Sequence, residues 1–505
     1  MTEEAGRSDI AALAKGGRTN FLGFVLRLGG TAPFLFIAGR LYGVEALGLY
    51  ASAIVAVELV AQLCSLGQRR GLAQRLADDE QSPANILADG LLLTALLSVV
   101  IGLLLYLFPL PMFPSGHYTE WDRLLPLAIL PNALTEVTLA ALAYRYDIGT
   151  TVRARSLVEP WVLSLGALAL LVVTPESGLA LAYILSKFAA FAVTLVPLWR
   201  SYGRPQQWHP RPVRLWRTAR ALMPLAGADL VEWGTRRLDI AILGTFASPT
   251  AVGVYYAAQQ VASLPQKLKT SFEPILGPVI TRNLKENNYP AIARQVCQVG
   301  FWITAAQMGI ALALGIPGEG VMGLIGPQFV GGTGALAFLL AAEVAAATAV
   351  VSEAALVYVM RMRNLLVSLA TIALQAALSA GFIMAVRAAP GWDLPFGLAI
   401  TADKVSYYQA AAVAAALMVS LGLSSLAKAF MLARFLGETV NNWRWSLVWA
   451  AIPAALVGWL VTRFLPEWAE LAFGIWAILS VYGWVIWHKG FGPEDRVLFR
   501  KNVSG

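Results

Sequence analysis

Charge is scarce in this sequence, and cysteine and histidine are scarcer still. Of 505 residues, 13% are Asp, Glu, Lys or Arg, with 2 cysteines and 3 histidines. Soluble domains carry roughly 25% charged residues, so an ordinary soluble protein is excluded. Cys64 and Cys297 stand far apart in or near apolar stretches, which suggests neither a disulfide framework nor a CxxC site. His117, His209 and His488 stand singly in loops or at a span end, so no metal site and no cofactor are expected. The stretch before Asn20 lacks an apolar h-region, so no cleavable signal peptide is expected. There is no G-x-x-x-x-G-K-[ST] sequence to support ATP hydrolysis. No connection is long enough for an extramembrane domain, and no catalytic constellation is found, so the chain is not expected to be an enzyme.

What the sequence has in abundance is apolar length. Hydrophobic residues make up 58%, and the mean hydropathy is +0.63. Apolar runs of some 20 residues, enough for a membrane crossing, require helices. Fourteen are read, at 20–40, 46–66, 86–108, 124–146, 157–174, 179–199, 221–246, 251–276, 293–316, 333–359, 365–386, 405–432, 447–464 and 470–487. The expected fold is an all-α integral membrane protein with about fourteen transmembrane helices. With the N-terminus inside, the inside segments hold 24 Lys and Arg residues, whereas the outside ones hold only Arg40, Arg123, Arg387, Lys404 and Arg463. This bias orients the chain with both termini cytoplasmic. It also explains the net charge of +8 without nucleic acid.

Ala221–Phe246 breaks the apolar rule. It carries Asp229, Glu232, Arg236, Arg237 and Asp239. A single charge at the bilayer centre costs about 2.5–3.5 kcal/mol on insertion scales, so a mere anchor would not keep five. At ~100° per residue, Asp229, Glu232, Arg236 and Asp239 share one narrow helical face, and Arg237 lies off it. That face must look into protein or into a water-filled cavity. Glu232 and Arg236, four residues apart, have the spacing of an ion pair.

A shift of 205 residues aligns Gly39 with Gly244, Ala46 with Ala251, Gly48 with Gly253, Tyr50 with Tyr255 and Ala53 with Ala258. Each segment ends one span, turns outside and begins the next. This is a parallel repeat of two six-span halves, 1–205 and 206–435, followed by two extra spans in 436–505. A substrate site at the interface of the two bundles follows from that architecture. The polar groups gather on spans one, two, seven and eight. Span one offers Arg27, and span two offers Glu58, Gln62, Ser65 and Arg69 on one face. Span eight offers Lys267, Lys269 and Glu273. Lys267 and Lys269 are about 200° apart on a helix, so at most one points straight into a shared cavity. The same shift places Glu232 opposite Arg27. The Arg-rich linker Arg200–Arg220 joins the halves and reads first as a positive-inside loop.

The turn Gly39–Tyr50, G-R-x-x-G-x-E-A-L-G-L-Y, resembles the N-terminal signature of Wzx-type oligosaccharide-lipid flippases of the multidrug/oligosaccharidyl-lipid/polysaccharide exporter superfamily. The run Arg236–Ile240, with Leu243-Gly244 and Ala251–Tyr255, is similar to the signature of their seventh and eighth spans. Leu324–Phe329 resembles their C-terminal half. The resemblance implies a flippase that moves a polyprenyl-pyrophosphate-linked oligosaccharide across the bacterial inner membrane by alternating access. Exopolysaccharide, O-antigen or capsule synthesis would be the pathway. Membrane lipids and polymer-export machinery would be its partners, and the protein is expected to act as a monomer. An anionic pyrophosphate needs cations, and Arg27, Arg236, Lys267 and Lys269 are the candidates. Glu58, Gln62, Asp229, Glu232, Asp239 and Glu273 would line the cavity, pair with those cations or bind a coupling ion. A multidrug exporter of the same superfamily is the nearest alternative, but it would favour carboxylates over the cationic span eight. A membrane glycosyltransferase or polymerase would need a large outside loop.

Overall fold

The computed structural model describes residues 29–78, 82–270, 280, 283, 284, 286–389, 393, 394, 398, 399, 401–492 and 495. Among these the chain is helical, apart from turns and one antiparallel pair of two-residue strands, β1 (Asp393–Leu394) and β2 (Leu398–Ala399). It divides into two compact units, Met1–Gly253 and Val254–Gly505.

The first unit holds α1 (Val44–Cys64), α2 (Gln68–Asp78), α3 (Pro83–Leu107), α4 (Ile129–Tyr144), α5 (Glu159–Val173), α6 (Gly178–Tyr202) and α7 (Pro212–Phe246). Next comes α8 (Pro249–Thr270), whose first residues belong to this unit. The helices follow from long apolar runs punctuated by caps. Ser82 accepts from the Asn85 N–H, and Pro83 follows it in the first turn, where its missing N–H costs nothing. Asp147 accepts from the Thr150 N–H. The helix α2, the start of α3 and the ends of α4 and α6 pack round Leu72, Leu76, Ile86, Leu87, Val137, Leu142 and Leu198.

The second unit holds α9 (Tyr289–Gly315), α10 (Gly318–Ile325), α11 (Thr333–Val359), α12 (Arg361–Ala388), α13 (Val405–Leu436), α14 (Ser446–Phe464) and α15 (Ile475–Val485). The last two helices lie on α9, burying Phe301, Ala305, Leu447, Ala454, Ile478 and Tyr482 together. Gly309 lets them close: a Cβ there would stand 2.9 Å from the Tyr482 ring. The chain beyond α15 is tied back by Asp495, which accepts from Arg444 at 2.8 Å and from the Trp302 indole at 2.9 Å. Burial pushes the Asp495 carboxyl up, and the bonds from Arg444, the Gly492 N–H and Trp302 outweigh it, holding the group below the usual carboxylate range.

Among the described residues, eleven helical stretches are long and apolar enough to cross a membrane. They correspond to eleven of the fourteen runs read from the sequence. Of the other three, 20–40 begins outside the described residues, and 251–276 runs on past Thr270, the end of α8. The third, 221–246, lies in α7, which is long enough at 35 residues but heavily charged.

The shift of 205 reappears as geometry. A Cβ on Gly48 would stand 1.8 Å from the Pro249 carbonyl oxygen, and one on Gly253 would stand 2.0 Å from the Val44 carbonyl oxygen. Val44 and Pro249 are themselves related by the same shift, so the contact is reciprocal. Two helix starts cross backbone to backbone, and each crossing point is a glycine because nothing larger fits.

Candidate functional site

In the first unit the charged face of α7 meets α1 and the start of α2. The reach is set by the turn at Leu66–Gly67. Gly67 has φ of +67°, and a Cβ there would stand 2.5 Å from the Ala226 N. One turn on, a Cβ at Gly71 would stand 2.5 Å from Leu222 Cδ2. These two glycines let α2 lie directly on α7. Arg69 and Arg70, between them, are thereby brought to Asp229 and Glu232.

The result is a ladder of ion pairs. Arg70 Nε stands 2.6 Å from Asp229 Oδ1, a close charge contact without an aligned hydrogen bond. Arg70 Nη2 donates to Glu232 Oε2 at 2.5 Å, and Arg69 Nη2 to the same oxygen at 3.0 Å. Further along, Arg237 Nε lies 3.7 Å from Glu58 Oε2. Three arginines thus face three carboxylates. The Asp229 side chain is fully buried, whereas those of Arg69 and Arg70 are 45% and 42% exposed. A buried carboxylate needs a cation held against it, and the arginines keep an exposed side.

This geometry adds partners that the sequence reading did not name for Glu232, namely Arg69 and Arg70 from α2, while the expected i,i+4 pairing with Arg236 involves a side chain outside those described. Arg237, off the charged arc, reaches Glu58 because its long side chain spans to the neighbouring helix. Asp239 is buried, with Oδ1 accepting from the Ile240 N–H at 2.8 Å. Gln62 is half-buried, and its backbone carbonyl accepts from the Ser65 hydroxyl at 2.7 Å. Arg27 and Glu273 lie outside the described residues, as do the side chains of Arg236, Lys267 and Lys269.

Sequence reading missed a second buried network in the same unit. Arg155 falls in the connection between the runs 124–146 and 157–174, and that reading places the polar groups on spans one, two, seven and eight. The helix runs on through a π-turn, Val152–Val158, into α5, where Pro160 has no N–H for the regular ladder. The Arg155 guanidinium donates to Glu159 at 2.7 Å, to Asn132 at 3.2 Å and to Glu136. Lys187, buried on α6, donates to Glu159 Oε1 at 2.7 Å and lies over the Tyr183 ring. Two cations again meet two carboxylates. Each helix contributes only one or two charges, so no single span advertised the network.

Glu159→Gln should lower stability by about 1–3 kcal/mol, the cost of leaving a buried polar group unsatisfied, because Lys187 loses its carboxylate. Adding Lys187→Met should recover most of it. Thermal unfolding of the detergent-solubilised protein reads both, and an unchanged melting temperature for Glu159→Gln would remove the network from the stability of this unit.

The second unit contains a cavity of about 520 Å³ lined by residues including Thr304, Met308, Val344, Thr348, Leu426 and Asn442. Its lining carries no charged side chain. Lys428, elsewhere in that unit, is buried and bonded to Glu353 at 2.9 Å.

Residues 37–311 match the model of the family described as polysaccharide biosynthesis protein. No curated protein matches the chain by sequence. Among solved structures, the lipid II flippase MurJ in an inward closed conformation superposes with a TM-score of 0.68 at 12% identity, over 95% of this chain and 99% of that one. An inward-facing multidrug resistance MATE family transporter of the MOP superfamily gives 0.63 at 13% identity, over 81% of this chain and 94% of that one. A MOP superfamily transporter from Pyrococcus furiosus gives 0.54 at 13% identity, over 84% and 95%. At these identities the likeness is one of fold. The fold is a multi-pass membrane bundle shared by a lipid II flippase and by multidrug resistance transporters.

Proposed function

The chain belongs to the polysaccharide biosynthesis protein family, and from that premise we propose that it is a flippase for a polyprenyl-pyrophosphate-linked oligosaccharide. It carries the lipid-linked repeat unit from the cytoplasmic to the outer leaflet of a bacterial inner membrane by alternating access. The observation that carries this reading is the ladder on α7. A pyrophosphate is a dense anion, and guanidinium groups hold phosphate oxygens in a two-pronged geometry that a lysine cannot match. Arg69 and Arg70 are each nearly half-exposed and already neutralised by Glu232 and Asp229. A phosphate group can take the place of Glu232 on the exposed side, while Asp229 stays behind Arg70 and holds it in position. Such an exchange keeps both arginines compensated, and the displaced Glu232, one-third exposed, is left to water or to a proton. Arg27, Arg236, Lys267 and Lys269 remain the proposed cations along the path, with Glu58, Gln62, Asp239 and Glu273 as lining or coupling groups. The fold, which superposes on a lipid II flippase over 95% of this chain, is one that a lipid-linked cargo can use. Deleting the gene should stop polymer export and leave lipid-linked oligosaccharide in the membrane, and normal export without the chain would overturn the reading.

A further inference from the structure

The linker between α6 and α7 is more than a loop. Residues 200–220 contain six arginines and not one Asp or Glu. The segment is fastened to the start of α3. Asn85 donates to the Gln206 carbonyl at 3.0 Å, and its own side-chain oxygen accepts from the Gln206 N–H at 3.1 Å. Asp89, fully buried, accepts from the Trp208 indole at 2.8 Å and pairs with Arg214 at 2.6 Å. One arginine is therefore spent on docking. Arg200, Arg204, Arg211, Arg217 and Arg220 are exposed, with no acidic partner among the described residues.

Their neighbours are not those of a solvated loop. Trp199, Val213 and Trp216 are also exposed, Trp216 at 67%. Val213, Trp216, Arg217 and Arg220 follow the i, i+3, i+4, i+7 spacing and share one face of the first turns of α7. A face that mixes tryptophan, valine and arginine suits the membrane interface, where ring and aliphatic groups sit among glycerol esters and guanidinium groups meet phosphates. The helix length agrees. At 1.5 Å per residue, Ala221–Phe246 already covers roughly 39 Å, more than the ~30 Å of hydrocarbon. The turns before it fall in the headgroup layer.

We propose that this docked linker is a binding shelf for the headgroups of anionic phospholipids. Its cations are spread along some twenty residues, from the end of α6 through the connection to the first turns of α7, which fits the scattered phosphates of a leaflet rather than one pyrophosphate. Asp229, the first rung of the ion-pair ladder, lies nine residues beyond Arg220, about 13 Å further along the helix. The shelf is thus distinct from the ladder and does not depend on which cargo is carried.

The test uses the purified full-length protein in neutral detergent, titrated with phosphatidylglycerol or phosphatidylcholine, with bound lipids counted by native mass spectrometry. The wild type should prefer phosphatidylglycerol, and rising salt should erode that preference. The variant R200Q/R204Q/R211Q/R217Q/R220Q should lose at least about tenfold in phosphatidylglycerol affinity with phosphatidylcholine unchanged. The same five positions changed to lysine should retain most of the binding. The milder R217Q/R220Q alters two exposed side chains only and should lose about threefold, which keeps the test open if the fivefold variant fails to fold. Equal binding of the two lipids by the wild type, or undiminished phosphatidylglycerol binding by either glutamine variant, overturns the proposal. Farnesyl pyrophosphate distinguishes the other source of phosphate. If it binds in an arginine-dependent way and phosphatidylglycerol does not, the shelf captures prenyl pyrophosphates and the phospholipid assignment is wrong.

Discussion

Replacing Arg70 with alanine should abolish polymer export and also make the protein less stable, and the two losses should separate. Arg70 is the cation held against Asp229, whose side chain is fully buried. Without it the carboxylate keeps its desolvation and loses its partner, a cost of about 1–3 kcal/mol. The figure stays below that of a wholly buried pair because the Arg70 side chain is 42% exposed. Adding Asp229→Asn removes the stranded charge, so R70A/D229N should regain most of the lost stability. It should not regain export, because the guanidinium that meets the phosphate is still missing. Unfolding in detergent and export in a strain lacking the chain read the two effects on the same pair of variants. Wild-type export by R70A/D229N would make Arg70 a mere counter-charge for Asp229.

Gly48→Ala should be more damaging to the fold than any ordinary surface change. The added Cβ would stand 1.8 Å from the Pro249 carbonyl oxygen and 2.9 Å from the Gly253 N, both backbone atoms. A side chain can rotate out of the way, but here the starts of α1 and α8 must separate. The cost should reach about 3 kcal/mol or more, at or beyond the upper end of overpacking. Gly253→Ala, with its Cβ 2.0 Å from the Val44 carbonyl oxygen, should match it, since the contact is reciprocal. Gly381 and Gly422 serve as controls. They lie in α12 and α13 with nothing within 4 Å of an added Cβ, so alanine there should be neutral or gain up to about 1 kcal/mol of helix propensity. Melting temperatures and membrane yields of the four variants decide it. An unchanged melting temperature for Gly48→Ala would mean the crossing is looser than the geometry requires.

These two cases also show what a sequence can disclose. The alignment of Gly48 with Gly253 was readable because a repeat leaves a fixed offset, and close backbone approach leaves glycine as its mark. The charged face of α7 was readable because five charges in an apolar run have no innocent explanation. Its pairings were not. Glu58 and Arg69 were placed on the polar face of the second span without partners, and Arg69 and Arg70 both follow that span's apolar run, where the positive-inside rule already accounts for arginine. Only the fold-back at Gly67 and Gly71 brings them to α7, and that approach is tertiary. The network of Glu136, Arg155, Glu159 and Lys187 was illegible for a related reason. Its members are spread over three helices and a π-turn that no helical periodicity anticipates. The linker arginines were counted as positive-inside charge. What counting could not give is that Asp89 and Asn85 fasten the segment in place.

The direct test of the proposed transport is the leaflet in which the lipid-linked oligosaccharide resides. Spheroplasts lacking the chain, and the same cells supplied with it, can be treated with a membrane-impermeant periodate reagent and the oxidised fraction of the lipid-linked sugar measured. Without the chain the accumulated oligosaccharide should be protected, and with it the sugar should become accessible at the outer face, while R70A should behave as the empty strain. Accumulated oligosaccharide that is already accessible in cells lacking the chain would contradict a flippase.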